Sequence, residues 1–228
     1  MQQFIKKIVH GLGWDLHRLS PAGNASAQVL AALKSVQVNL VFDIGANVGQ
    51  FAQDLRSVGF SGKIVSFEPL SSAYVQLSKS AQSDANWYIH TRAAIGDYDG
   101  EIEINIAGNS MSSSLLPMLD AHSYAEVGSA YVGAEMTPLI RLDSIASTYL
   151  DAHSRFFIKI DTQGFEWQVL QGARETLKRA QGVLLELSLV PLYEGQKLWL
   201  EMIEWMESEG FTLWVILKGF TDPRTGRS

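Results

Sequence analysis

The sequence predicts an α/β fold, a mostly parallel twisted sheet with helices on both faces. Three observations carry this. From Val38 onward, strand-like runs alternate with helical ones, the pattern of strand–helix–strand units. The strand-like runs, such as "KIVSF" and "RFFIKI", are nearly continuous in apolar residues, as suits strands covered on both sides. The stretch "VFDIGANVGQF", Val41 to Phe51, reads as a buried strand entering a glycine turn and then a helix.

In order, the first strand is expected over Val38–Ile44. The helix after it carries Val48, Phe51, Ala52, Leu55 and Val58 on one face and stops at Gly59. "KIVSFEP" is the second strand, ended by Pro69, with Ser71 or Ser72 able to cap the next helix. "NWYIHTRAAIG" reads as the third strand, and "EIEINIA" alternates in period two like a half-exposed addition. The pattern then fails over residues 108–137, expected to be an irregular insertion or lid. "TPLIRLDSI" resumes with a short strand and a helix start. "RFFIKIDTQGFE" is the fourth core strand and "GVLLELS" the fifth. The helix built on Leu198, Trp199, Met202, Ile203 and Met206 ends at Gly210, and "FTLWVILKGF" is the last strand.

The 228 residues are 46% hydrophobic and 18% charged, enough for one cored domain with an appendage. The division expected is an N-terminal helical segment and linker at 1–37 and the main domain at 38–228. A net charge of −6 argues against nucleic acid as a partner. The absence of cysteine excludes disulfides, thiolate metal sites and a cysteine nucleophile. No apolar run approaches the roughly 20 residues of a membrane span, and residues 1–19 lack a signal-peptide core. A cytoplasmic location is the expectation. Phe4, Ile5, Ile8, Val9 and Leu12 recur at helical spacing, which suits a helix that caps the domain or a partner. The second expectation for residues 1–20 is peripheral contact with an anionic membrane, through Lys6, Lys7 and Arg18.

The glycine turn narrows the ligand. A dinucleotide site needs a glycine where Asn47 stands, so that backbone can approach the pyrophosphate. Asp43, at the strand end, would repel phosphate and suits a cationic group such as an amine. Glu68 closes the second strand, where an acidic side chain accepts hydrogen bonds from ribose hydroxyls. An amine, a ribose and no phosphate describe S-adenosylmethionine. At the far strand ends stand Asp161 and Glu186, with Lys159 on the same face as Asp161 and Glu166 opening the following helix. Methyl transfer aligns an acceptor oxygen with the methyl carbon and removes the proton of an alcohol. Asp161 is the expected base or acceptor-orienting group, with a neutral Lys159 as another proton acceptor; Lys159 and Glu186 are expected to position. A structural pairing of Lys159 with Asp161 is the competing expectation. Two acidic strand ends can also hold Mg²⁺, which the sequence does not select.

"FDIGANVGQF", "SFEP", "AAIGDYDGEIEI", "MSSSL", "RLDSI", "FIKIDTQGFEWQVLQGA" and "LLELS" together resemble the FkbM-family methyltransferases, from about Val38 to Arg227. The run "KIDTQGFE" is the most specific. The resemblance implies a Rossmann-like class I fold, S-adenosylmethionine as cofactor, and methylation of a hydroxyl on a sugar, glycan or secondary metabolite. Position by position, Asp43, Gly45, Asn47 and Gly49 match the first motif and Glu68 the ribose acid. Ala94 and Asp97 match the adenine region after the third strand, although Asp97 equally suits a turn. Ser112, Ser113 and Ser114 match the serine-rich segment, with Ser113 and Ser114 expected at the cofactor; a helix cap there is the alternative. His122 is the histidine expected in the lid. One departure is expected: after "TGR" the family pattern continues into a final antiparallel strand, which is missing from this sequence. The competing functions are an NAD(P)-dependent oxidoreductase, disfavoured by Asn47 and Asp43, and a non-catalytic S-adenosylmethionine-binding protein.

Overall fold

The computed structural model describes residues 2–13, 20–120 and 128–219. Arg18, His122 and the terminal "TDPRTGRS" stretch lie outside the described residues. A helix α1 spans Gln2–Gly11, and α2 spans Ala25–Ser35. Asn24 caps α2, its Oδ1 accepting from the Ala27 amide at 2.8 Å.

Five parallel strands form the main sheet: β1 (Leu40–Ile44), β2 (Lys63–Phe67), β3 (Trp87–Ile89), β7 (Phe156–Ile160) and β8 (Gly182–Leu185). Their spatial order is β3-β2-β1-β7-β8, so the chain winds outward in both directions from β1. The seam between β1 and β7 is where strand order reverses, the point at which open α/β sheets leave a crevice. A second sheet, β4-β6-β5, joins β4 (Ala94–Ile95), β5 (Gly100–Ala107) and β6 (Tyr131–Ile140).

Alternation along the strands builds two cores. Phe42 and Ile44 of β1, Val65 and Phe67 of β2, and Ile158 and Ile160 of β7 share one face. They pack with α5 (Leu142–Ile145), α6 (Glu166–Gln171), α7 (Arg174–Leu177) and α8 (Trp199–Ser208). Val41, Ile64 and Phe157 face the other way, onto α2, α3 (Gln50–Ser57) and α4 (Ser71–Ala81). Because Val29, Leu30 and Leu33 of α2 are buried in this second core, a boundary at residue 37 separates α2 from the sheet it covers.

Three expectations need correction. "NWYIHTRAAIG" is two strands, because the chain breaks at His90–Ala93 and crosses from the main sheet to the smaller one. Residues 131–137 of the expected irregular segment belong to the ten-residue β6, which runs antiparallel to β5. "FTLWVILKGF" forms no strand over its described residues, 211–219, because no neighbour supplies a ladder. Leu213, Trp214 and Ile216 are exposed there.

Candidate functional site

The register of the sheet assembles the site in two rows. In the lower row, Asp43 of β1 stands between Ser66 of β2 and Lys159 of β7. Two residues further along each strand, on the same face, come Glu68, Gly45 and Asp161, with Glu186 next to Asp161 beyond β8.

The lower row is buried, and Asp43 Oδ1, which accepts no hydrogen bond, is met by the Lys159 charge. Lys159 Nζ lies 3.2 Å from Asp43 Oδ1 and donates to the Gly45 carbonyl at 2.8 Å. Ser66 Oγ donates to Asp43 Oδ2 and receives the Trp87 indole N–H at 2.9 Å. Burial by itself would lower the Lys159 pKa, but the facing Asp43 and Asp161 carboxylates outweigh it and hold it above its ordinary value. This corrects two expectations. Asp43 is 0% exposed, and the cation it holds belongs to the chain itself. Lys159 is an ammonium, so it cannot serve as a neutral base.

The turn above that row is shaped by left-handed backbone at Gly45, Asn47 and Gly49, with φ of 74°, 49° and 96°. A Cβ on Gly45 would lie 1.8 Å from the Asp161 carbonyl oxygen, so the turn and the β7 end approach as closely as backbone allows. The Asn47 amide donates to Glu68 Oε2 at 2.7 Å and the Leu70 amide to Oε1 at 2.9 Å. Burial pushes Glu68 up to about 7, against the pull of those two amides and Lys159. Each Glu68 oxygen keeps a second lone pair for a ligand hydroxyl.

Asp161 is the reachable member of the charged group, with 38% of its side chain exposed against 7% for Lys159. Its Oδ2 is 3.5 Å from Lys159 Nζ. Burial would raise Asp161, but Lys159 and hydrogen bonds from Glu186 and Gln163 hold it below the ordinary carboxylate range. A carboxylate so stabilised is a weak base and a good orienting acceptor. Desolvation of its carboxyl end raises Glu186, and the neighbouring Asp161 and Glu166 charges raise it further. The two titrate as a coupled pair, with Asp161 held down and Glu186 held up. Glu166 caps the connecting loop, its Oε1 accepting from the Thr162 and Gly164 amides at 2.8 and 3.2 Å.

The remaining expected residues fall elsewhere or do other work. Ala94 is buried in the second sheet, paired with Leu139 of β6, and Asp97 is exposed beside Gly172 past the end of α6. Both lose their place because the chain leaves the main sheet after Ile89. Ser114 lies beside the site loop as a tether, while Ser113 bonds to the end of β5. Ser113 Oγ accepts from the Ala107 amide, and Ser114 Oγ donates to the Gln163 carbonyl at 2.6 Å while accepting from the Leu116 amide. Among the described residues no three His, Asp or Glu side chains converge as a metal site.

Two residues at the site were not singled out in the sequence. Gln163 donates to Asp161 at 3.0 Å and to Glu186, and Tyr193, buried under Gly164, reaches Gln163 from the loop after β8. The sole signal for Gln163 was its place in "DTQG" beside a strand-end acid; Tyr193 had none.

Chemically, Asp43, Lys159 and Asp161 set two carboxylates against one ammonium. The excess negative charge attracts a cation and repels a pyrophosphate. A family model described as "Methyltransferase FkbM domain" matches residues 43–213, which take in both rows of the site. No curated protein matches the chain.

Proposed function

Because the chain belongs to the FkbM methyltransferase family, we propose that it is an S-adenosylmethionine-dependent O-methyltransferase acting on a hydroxyl of a sugar, glycan or secondary metabolite. The observation that carries this reading is the net negative row of strand ends between Glu68 and Glu186, next to a glycine turn with no phosphate cradle. That donor set fits the cofactor. Glu68 and the Gly45–Gly49 turn would hold its ribose and amino-acid portions, and the excess carboxylate charge favours its sulfonium. When bound, the cofactor supplies an electrophilic methyl group.

The chain's own residues do the rest. Asp161, ionised and 38% exposed, accepts the hydrogen bond of an acceptor hydroxyl, aims its oxygen and takes up its proton as the methyl group transfers. Glu186, raised by burial and by the Asp161 charge, gives its hydrogen bond to Asp161 and holds that carboxylate in place. Lys159 keeps Asp161 charged and pins the Gly45 carbonyl.

Calorimetry with S-adenosylmethionine, S-adenosylhomocysteine and NAD tests the cofactor. Binding of the first two without NAD is expected; NAD binding with none for S-adenosylhomocysteine would favour an oxidoreductase. A screen of hydroxylated acceptors with methyl-labelled cofactor tests the reaction. In it, Asp161→Asn is expected to lower turnover by about 10²-fold or more while cofactor affinity holds. Full turnover in that variant removes the role given to Asp161.

A further inference from the structure

We propose that Gln163, its amide oriented by the Tyr193 hydroxyl, is a positioning residue that clamps Asp161 and Glu186 into one hydrogen-bonded pair. This rests on the reading of that pair as the acceptor end of a methyltransferase site. The geometry begins in the backbone. Gln163 and Gly164 both lie in the left-handed region, at φ of 53° and 99°, and a Cβ on Gly164 would meet the Tyr193 ring at 2.7 Å. This turn folds the Gln163 side chain back across the ends of β7 and β8. Its Nε2 then donates to Asp161 Oδ1 and to Glu186 Oε2, and its Oε1 accepts from the Tyr193 hydroxyl at 3.2 Å.

The inventory of donors makes this orientation specific. A primary amide has two N–H donors on one side and one oxygen on the other. Here the two donors meet two carboxyls and the oxygen meets a hydroxyl. A flipped amide would aim its oxygen at the Asp161 carboxylate. Tyr193 is 1% exposed, and its hydroxyl also lies 3.2 Å from the Ser112 carbonyl, while the Gln163 carbonyl accepts from Ser114. The clamp thus ties the carboxyl pair to the 110–116 segment of the insertion. A passive loop glutamine needs none of these four partners.

The sign of the effect follows from the groups around the pair. Lys159, with Asp43 behind it, faces Asp161; Glu166 and Tyr193 face the pair from the adjoining loops, and Tyr131 of β6 stands behind Tyr193. Removing the Gln163 donor destabilises the Asp161 carboxylate directly, and letting Glu186 drift away removes a second donor. Both raise the lower of the pair's two titration midpoints.

The test is a carboxyl-carbon NMR titration of the free full-length protein, with the two resonances assigned through Asp161→Asn and Glu186→Gln. Gln163→Met is expected to raise the lower midpoint by about one pH unit or more. Tyr193→Phe, which keeps the buried ring, is expected to raise it by less. An unmoved lower midpoint in either variant, with its thermal transition intact, overturns the proposal. No cofactor or acceptor is present in the titration, so failure of the calorimetry overturns the functional reading and leaves the clamp standing.

Discussion

Gly45 and Lys159 show how far single atoms control this site. Any side chain at Gly45 would push the β1 turn off the end of β7, and its φ of 74° adds backbone strain. Gly45→Ala is therefore expected to destabilise the fold by about 3 kcal/mol, from overpacking plus left-handed strain, as read by urea denaturation. A change below about 0.5 kcal/mol, the size of an ordinary surface substitution, would mean the turn relaxes freely. Lys159 neutralises a carboxylate that water cannot reach. Lys159→Met is expected to cost about 3–5 kcal/mol, because Asp43 is left buried without its ion pair. The double variant with Asp43→Asn should cost less than the sum of the two singles. Additive effects in that cycle would argue against the pairing.

At the scale of elements, contacts distant in sequence replace local rules. Neither Ser71 nor Ser72 caps α4 with its side chain. The N-cap is Leu70, and Glu135 of β6 reaches across to accept from the Ser71 amide at 2.6 Å. The insertion is held in the same way, by Ser114 on the Gln163 carbonyl and by Tyr131 donating to the Leu116 carbonyl at 2.6 Å. Ser114→Ala is expected to cost about 1–2 kcal/mol, since it leaves the half-buried Gln163 carbonyl and the Leu116 amide unmet. Amide exchange should quicken over residues 105–118 and stay slow in β1. Uniform quickening of both would mean that the tether stabilises the whole sheet instead.

For the whole molecule, the buried carboxyls set a pH dependence. Glu68 and Glu166 are each lifted by burial from 4.5 to about 7. Between those values the folded chain holds protons that the unfolded chain has released. Their contribution is thus complete below pH 4.5 and is lost as the pH rises through about 7, by up to roughly 3 kcal/mol for each group. Stability is expected to fall from about pH 5 to about pH 8, with a shallower fall in Glu166→Gln. A wild-type profile flat across that range would contradict the assignment. Asp161 and the exposed Asp99, held below their ordinary values, act in the opposite sense and only at more acidic pH.

By itself, the sequence determined the alternating architecture, the five core strands and the turn after β1. Continuous apolar runs and glycine placement are local signals, and period-two alternation alone places Lys159 and Asp161 on one face. It also contained the FkbM motifs, since these too are runs of neighbouring residues. Only the tertiary structure decided which partner each polar group takes. It set Asp43 against Lys159, split the third strand, moved Ala94 to a second sheet and Asp97 to the exposed bend after it, and brought Tyr193 under Gly164, distant in sequence. The physical reason is that burial and strand register convert a list of acids into pairs. Which carboxylate is neutralised, which is lifted and which stays open to a ligand depend on distances between strands, and a linear pattern holds no such distances.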